Sequence, residues 1–120
     1  WVEELDAILD FHTQNAPIAH KKKHALVQGD ASETLPAYLE QHPETIVALA
    51  YFDFDLYTPT RACLEAIQPH LTKGSVLAFD ELNMPEFPGE TLAVREVLGL
   101  SRYAIRRDPS NPLTSWLVVE

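Results

Sequence analysis

Two apolar runs in this chain end in carboxylates. Ile46–Phe52 leads into Asp53-Phe54-Asp55, and Ser75–Phe79 leads into Asp80-Glu81. Ligands of an open α/β sheet bind in the crevice beyond the carboxyl ends of its strands. Two acidic strand ends parted by one helix would therefore gather four carboxylates at one sheet edge. Carboxylates that close repel one another unless a cation or a proton lies between them. Asp53 and Asp55 share a face in a regular strand, although at a strand end they can splay. Asp80 and Glu81 diverge in extended geometry and converge if the chain turns. Oxygen ligands of this kind suit Mg²⁺, Mn²⁺ or Ca²⁺ better than zinc. The plainer alternative is that these acids are solvated and cap the helices that follow. Asp30, after Gly29 at the end of the short run Ala25-Leu26-Val27, adds a carboxylate to the same edge or serves as an ordinary turn residue.

Other chemistries find less support. His12, His20, His24, His42 and His70 show no i, i+4 ligand spacing and read as surface or capping residues. The serines lie in no nucleophile-elbow context. Cys63 is the only cysteine, which excludes an intrachain disulfide, and it falls on the apolar side of a predicted helix as a small buried hydrophobe. Only four glycines occur, none of them in a phosphate- or nucleotide-binding loop.

The elements that must position the acids follow from periodicity. Trp1, Leu5, Ile8, Leu9 and His12 predict an amphipathic helix that Asn15-Ala16-Pro17 stops. Ala25–Val27 predicts a short strand. The next helix is expected near Thr34 with Pro36 in its first turn, and His42-Pro43 ends it before a strand over Thr45–Phe52. Thr58 suits an N-cap and Pro59 the first helical position, with Cys63, Leu64, Ile67 and Leu71 on one face and Lys73-Gly74 as the stop. After Ser75–Phe79 comes a loop, Asn83–Gly89, then a helix over Glu90–Leu98 ended by Gly99. Tyr103–Arg106 and Leu113–Val119 predict an antiparallel hairpin. Strands that lack polar alternation and alternate with helices predict an α/β fold, a mostly parallel sheet covered on both faces and closed by that hairpin.

A chain of 120 residues is one domain, residues 1–120. Its net charge of -9 argues against an unassisted nucleic-acid partner, which needs a basic surface. The Lys21-Lys22-Lys23 run reads as a solvated loop leading into a strand. No apolar run is long enough to span a bilayer and no signal-peptide pattern opens the chain, so the simplest location is the cytoplasm, with no membrane partner.

Gly29–Pro36 (GDASETLP), Asp53–Tyr57 (DFDLY) and Phe79–Leu82 (FDEL) together resemble the later half of class I S-adenosylmethionine-dependent methyltransferases. The nearest likeness is to the metal-dependent sugar O-methyltransferases typified by macrocin O-methyltransferase. It runs from about Leu26 to Glu120 and includes the terminal hairpin. The resemblance implies the second half of a Rossmann-like three-layer sandwich, with S-adenosylmethionine and Mg²⁺ or a similar cation as cofactors. It implies Asp53, Asp80 and Glu81 as metal ligands, and Asp30 and Ala31 beside the adenine of the methyl donor. Asp53 or Asp55 would accept the proton of a small-molecule hydroxyl on a sugar or other natural product. Glu81 stands where the family usually has a second aspartate. The family's glycine-rich first turn and ribose-gripping acid do not occur in this chain. The expectations are therefore a fragment of a longer protein, a truncated domain that forms a homodimer over its exposed sheet edge, or a diverged remnant. Competing readings are an interaction or oligomerisation module that lost the cofactor site, a haloacid-dehalogenase-type phosphatase using Asp53 and Asp55, and a phospho-acceptor receiver domain.

Overall fold

The computed structural model describes residues 1–120. Its first helix, α1 (Val2–Gln14), ends at Asn15 as the spacing predicts. α2 (Ala31–Gln41) starts three residues before Thr34, because Asp30 takes the N-cap position and its side chain accepts from Ser32 N. Pro36 therefore lies inside the helix and not in its first turn. β1 (Val47–Phe52) is followed by α3 (Tyr57–Ile67) and a single 3-10 turn at Gln68–His70. α3 begins at Tyr57 with Leu56 at its N-cap, so Thr58 does not cap it; the buried Thr60 hydroxyl donates to Leu56 O at 2.7 Å.

Lys73-Gly74 does not stop a helix. It lies inside β2 (Leu71–Phe79), where Gly74 adopts φ 91° and the β1–β2 register slips between Val47 and Leu49. A positive-φ glycine of this kind marks a bulge. Ser75 stabilises the irregularity: its hydroxyl donates to Val47 O at 2.7 Å and accepts from Thr72 N at 2.9 Å. α4 (Gly89–Val97) is followed by Gly99 in the left-handed region, with its N–H on Val94 O. β3 (Arg106–Asp108) and β4 (Asn111–Val118) complete the hairpin.

The sheet order is β1-β2-β4-β3, with β1 and β2 parallel and the two later pairings antiparallel. Ala25–Val27, expected as a strand, forms none. Three apolar residues cannot hold a ladder alone, and no strand pairs with them; Val27 is exposed. Register and pleat put Phe52, Leu77, Phe79 and Leu117 on one face, packed with Cys63, Leu64 and Ile67 of α3 and Ala93 and Val94 of α4. The opposite face carries Leu49 and Tyr51, 64% and 56% exposed. The outer edge of β1 has no partner strand. No helix is long and apolar enough to cross a membrane.

Leu64, fully buried at the centre of the helical layer, sets a test of this core. Leu64→Ala should cost about 2–5 kcal/mol by the usual cavity penalty, measured by urea unfolding. A loss below about 1 kcal/mol would contradict the packing described.

Candidate functional site

Parallel pairing brings the acidic strand ends together. Phe52 pairs with Phe79, and one residue further on Asp80 N donates to Phe52 O at 3.2 Å, which fixes Asp80 beside Asp53. The chain then leaves the strand through Asp55, whose φ of 58° is unusual for a residue with a Cβ. That turn breaks the strand alternation and brings Asp55 back toward its neighbours. One carboxylate oxygen from each of Asp53, Asp55 and Asp80 lies within 4.8 Å of the other two. Asp53 and Asp55 are exposed and Asp80 is half-buried. Glu81 stands outside this trio, with its Oε2 buried and unpartnered.

The electrostatics match the crowding. The Asp80 carboxyl is pushed above its ordinary value, first by burial and then by Asp53. Glu81 rises as well, first by burial and then through the charges of Asp55, Asp80 and Asp53. No lysine, arginine or histidine pairs with any of these acids. Asp80 Oδ1 is buried with no hydrogen-bond partner. Three converging carboxylates, one with an orphaned oxygen, fit a hard divalent cation held by oxygen ligands.

The residue missing from the sequence reading is Glu90. Its side chain is fully buried, yet its Oε1 accepts from Phe54 N at 3.3 Å and its Oε2 from Glu81 N at 3.2 Å. Burial raises its pKa to about 7, and the Asp80 charge adds to the rise against the pull of the two backbone donors. In sequence it is an ordinary first-turn acid of a helix. The one available signal is the glycine before it. A Cβ on Gly89 would lie 2.5 Å from both Asp55 O and Tyr57 N, so only glycine lets α4 start against the Asp53–Tyr57 turn.

Asp30 and Ala31 lie at the start of α2. The Asp30 carboxylate is engaged in the cap, accepting from the Ser32 N–H and hydroxyl, which lowers its pKa. Ala31 O accepts from the Cys63 thiol at 3.5 Å, and burial pushes that thiol's pKa up, as for an inert structural cysteine. Ala31 also borders a recess of about 350 Å³ over β1 whose ten lining residues are all hydrophobic. No charged side chain lines it to answer the amino-acid group of S-adenosylmethionine, so the residues present do not fit the whole donor.

One histidine is not a simple surface residue. His24 Nε2 lies 2.9 Å from Asp6 Oδ1 and 3.6 Å from Asp10 Oδ1, and its side chain is only 12% exposed. Lys22 Nζ, 3.1 Å from Asp6, already supplies this group with a cation. It ties Lys22, expected as part of a solvated run, back to α1.

Glu90 sets a pH dependence whose sign is fixed. Its folded pKa of about 7 exceeds the ordinary 4.5, so the folded chain binds a proton that the unfolded chain releases. That stabilisation is complete below about pH 4.5 and is lost as pH rises through about 7, a change on the order of 3 kcal/mol. Asp6, Asp30 and Asp108, whose pKa values are lowered, act in the opposite sense only at more acid pH. Urea midpoints of the metal-free chain should therefore fall between pH 5 and 8, and Glu90→Gln should flatten that fall. A midpoint that rises over this range would contradict the assignment.

Comparisons with known proteins place these features. No family model and no curated protein matches the chain. Two solved structures of CalS11 do, each with TM-score 0.92, 49% sequence identity and 97% of this chain covered. One is described as the apo form of a TDP-rhamnose 3'-O-methyltransferase of calicheamicin biosynthesis, the other as a calicheamicin methyltransferase. The chain spans 50% of the first and 46% of the second, about half the length of either. At that identity and fold agreement, the chain belongs to the O-methyltransferase family to which CalS11 belongs.

Proposed function

We propose that this chain is the hydroxyl-activating half of an S-adenosylmethionine-dependent methyltransferase domain, acting on a small-molecule hydroxyl such as that of a nucleotide-linked sugar. The observation that carries the reading is the convergence of Asp53, Asp55 and Asp80, within 4.8 Å, at the strand ends of a chain half-identical to a sugar O-methyltransferase. The trio would hold a divalent cation, Mg²⁺ or Mn²⁺, with Glu81 at its rim. When bound, such an ion lowers the pKa of the acceptor hydroxyl and orients it.

The residues of the chain have separate tasks in this reading. Asp80, half-buried and tied to β1 through its backbone N–H, anchors the group. Asp53 leans on Asp80, whose protonation it favours. That leaves Asp55, exposed at the turn, as the carboxylate to accept the hydroxyl proton. Carboxylate and hydroxyl within hydrogen-bond reach make a general base worth about 10²–10⁴ in rate. Asp30 and Ala31 would border the adenine of the donor. The rest of the donor site must come from protein that this chain does not contain, which agrees with a match to half of CalS11. The unpaired edge of β1 and the exposed Leu49 and Tyr51 support the same view, since another part of such a domain would cover them. The proposed compartment is the cytoplasm.

The same edge favours a second reading, an interaction module that homodimerises through β1. Light scattering separates the two: a stable dimer of the pure chain supports the module, and a monomer supports the half-domain.

Titration calorimetry with Mn²⁺ tests the metal assignment. Saturable binding that Asp80→Asn weakens at least about tenfold is expected, because a ligand is removed; binding indifferent to Asp80→Asn would refute it. S-adenosylmethionine titrated into the same chain should give little or no heat. In a hybrid that joins this chain to the part of CalS11 it does not match, Asp55→Asn should lower methyl transfer to TDP-rhamnose by about 10²-fold or more. Full activity of that variant would exclude Asp55 as the base.

A further inference from the structure

Glu90 is costly to bury. A carboxyl group removed from water loses several kcal/mol of solvation unless hydrogen bonds restore it. An apolar side chain at the same place would avoid that cost but would leave two backbone N–H groups, Phe54 N and Glu81 N, without their only side-chain partner. These donors lie where the β1–β2 ladder runs out, just past the final contact from Asp80 N to Phe52 O. A carboxylate offers an acceptor to each of two donors at once, which an amide or a hydroxyl does less well.

The covalent positions of those donors give the arrangement its meaning. Phe54 N is bonded to the carbonyl carbon of Asp53, and Glu81 N to that of Asp80. Glu90 thus grips the peptide planes directly after two of the three converging acids, one from each strand. The third acid is held by the same helix start, because Gly89 packs its Cα against Asp55 O and Tyr57 N. Neighbouring contacts reinforce the far side of the turn: Asn83 N donates to Thr91 Oγ1 at 2.7 Å, which ties the loop after Glu81 to α4. All of these restraints come from α4 and act on the backbone that carries the trio, and the Glu90 carboxyl itself lies against that of Asp80.

We propose that Glu90 is a positioning residue that sets the spacing of Asp53, Asp55 and Asp80 by holding both acidic strand ends from beneath. Partners that orient ligands from outside the ligand shell change metal affinity by about tenfold to a hundredfold when removed. The proposal rests on the reading of the trio as a cation site, and the two are separable by experiment.

Mn²⁺ affinity and hydrogen exchange at the Phe54 and Glu81 amides would be measured in the native chain, Glu90→Ala, Glu90→Gln and Leu64→Ala. Glu90→Ala should bind Mn²⁺ about tenfold to a hundredfold more weakly and exchange both amides faster. Glu90→Gln retains one acceptor, so it should protect one of the two amides and recover part of the affinity. Leu64→Ala, buried in the core seven residues along α3 from Tyr57, reports on lost stability alone and should bind Mn²⁺ like the native chain while folded. A folded Glu90→Ala that binds within about twofold of native, or an affinity loss matched by Leu64→Ala, overturns the proposal. If the native chain binds no Mn²⁺, the cation reading fails by itself. The exchange data then still decide on Glu90, because unchanged protection of Phe54 and Glu81 in Glu90→Ala overturns its grip on the strand ends.

Discussion

The structure turns on like charges held together. Three carboxylates converge at the ends of two parallel strands, and no basic side chain lies among them. Repulsion alone would drive Asp53, Asp55 and Asp80 apart into solvent. They stay close because the backbone that carries them is fixed from two directions. The β1–β2 ladder continues to Asp80 N, and the start of α4 presses on the turn from below through Gly89 and Glu90. Stability is thereby spent on a local arrangement that packing would not choose, as is common where a protein does its chemistry.

The rest of the fold serves that arrangement on one side only. The face bearing Phe52, Leu77, Phe79 and Leu117 is dry and close-packed under α3 and α4, which keeps the strand ends rigid. The face bearing Leu49 and Tyr51 is open, and β1 offers an unpaired edge. An exposed apolar edge strand is a template for further pairing. It lies beside the acidic strand ends, and one face of the sheet is packed while the other is open. The open edge adjoins the apolar recess beside Ala31.

Much of this was legible in the sequence where local rules dominate. Hydrophobic runs that end in acids located β1, β2 and the site. The spacing of Cys63, Leu64 and Ile67 gave the buried face of α3, and Gly99 gave the end of α4. The errors came from residues with two uses. Gly74 after a lysine looks like a helix stop but serves a strand bulge, because its positive φ suits either. Pro36 looks like a first-turn residue, but the Asp30 cap moved the helix start upstream. Ala25–Val27 has strand composition but no strand beside it, and pairing is a tertiary property that composition does not encode. Glu90 was invisible for a similar reason. Its role depends on two amides 36 and 9 residues away in sequence, and on a helix start that only glycine allows.

If Asp53, Asp55 and Asp80 form one cation-binding group, anomalous diffraction from crystals grown with Mn²⁺ should show a manganese peak within coordinating distance of all three carboxylates, with Glu90 beneath them and out of contact with the ion. A peak that appears only between Asp6, Asp10 and His24, or a fully ordered acidic trio with no ion among its oxygens, would contradict it.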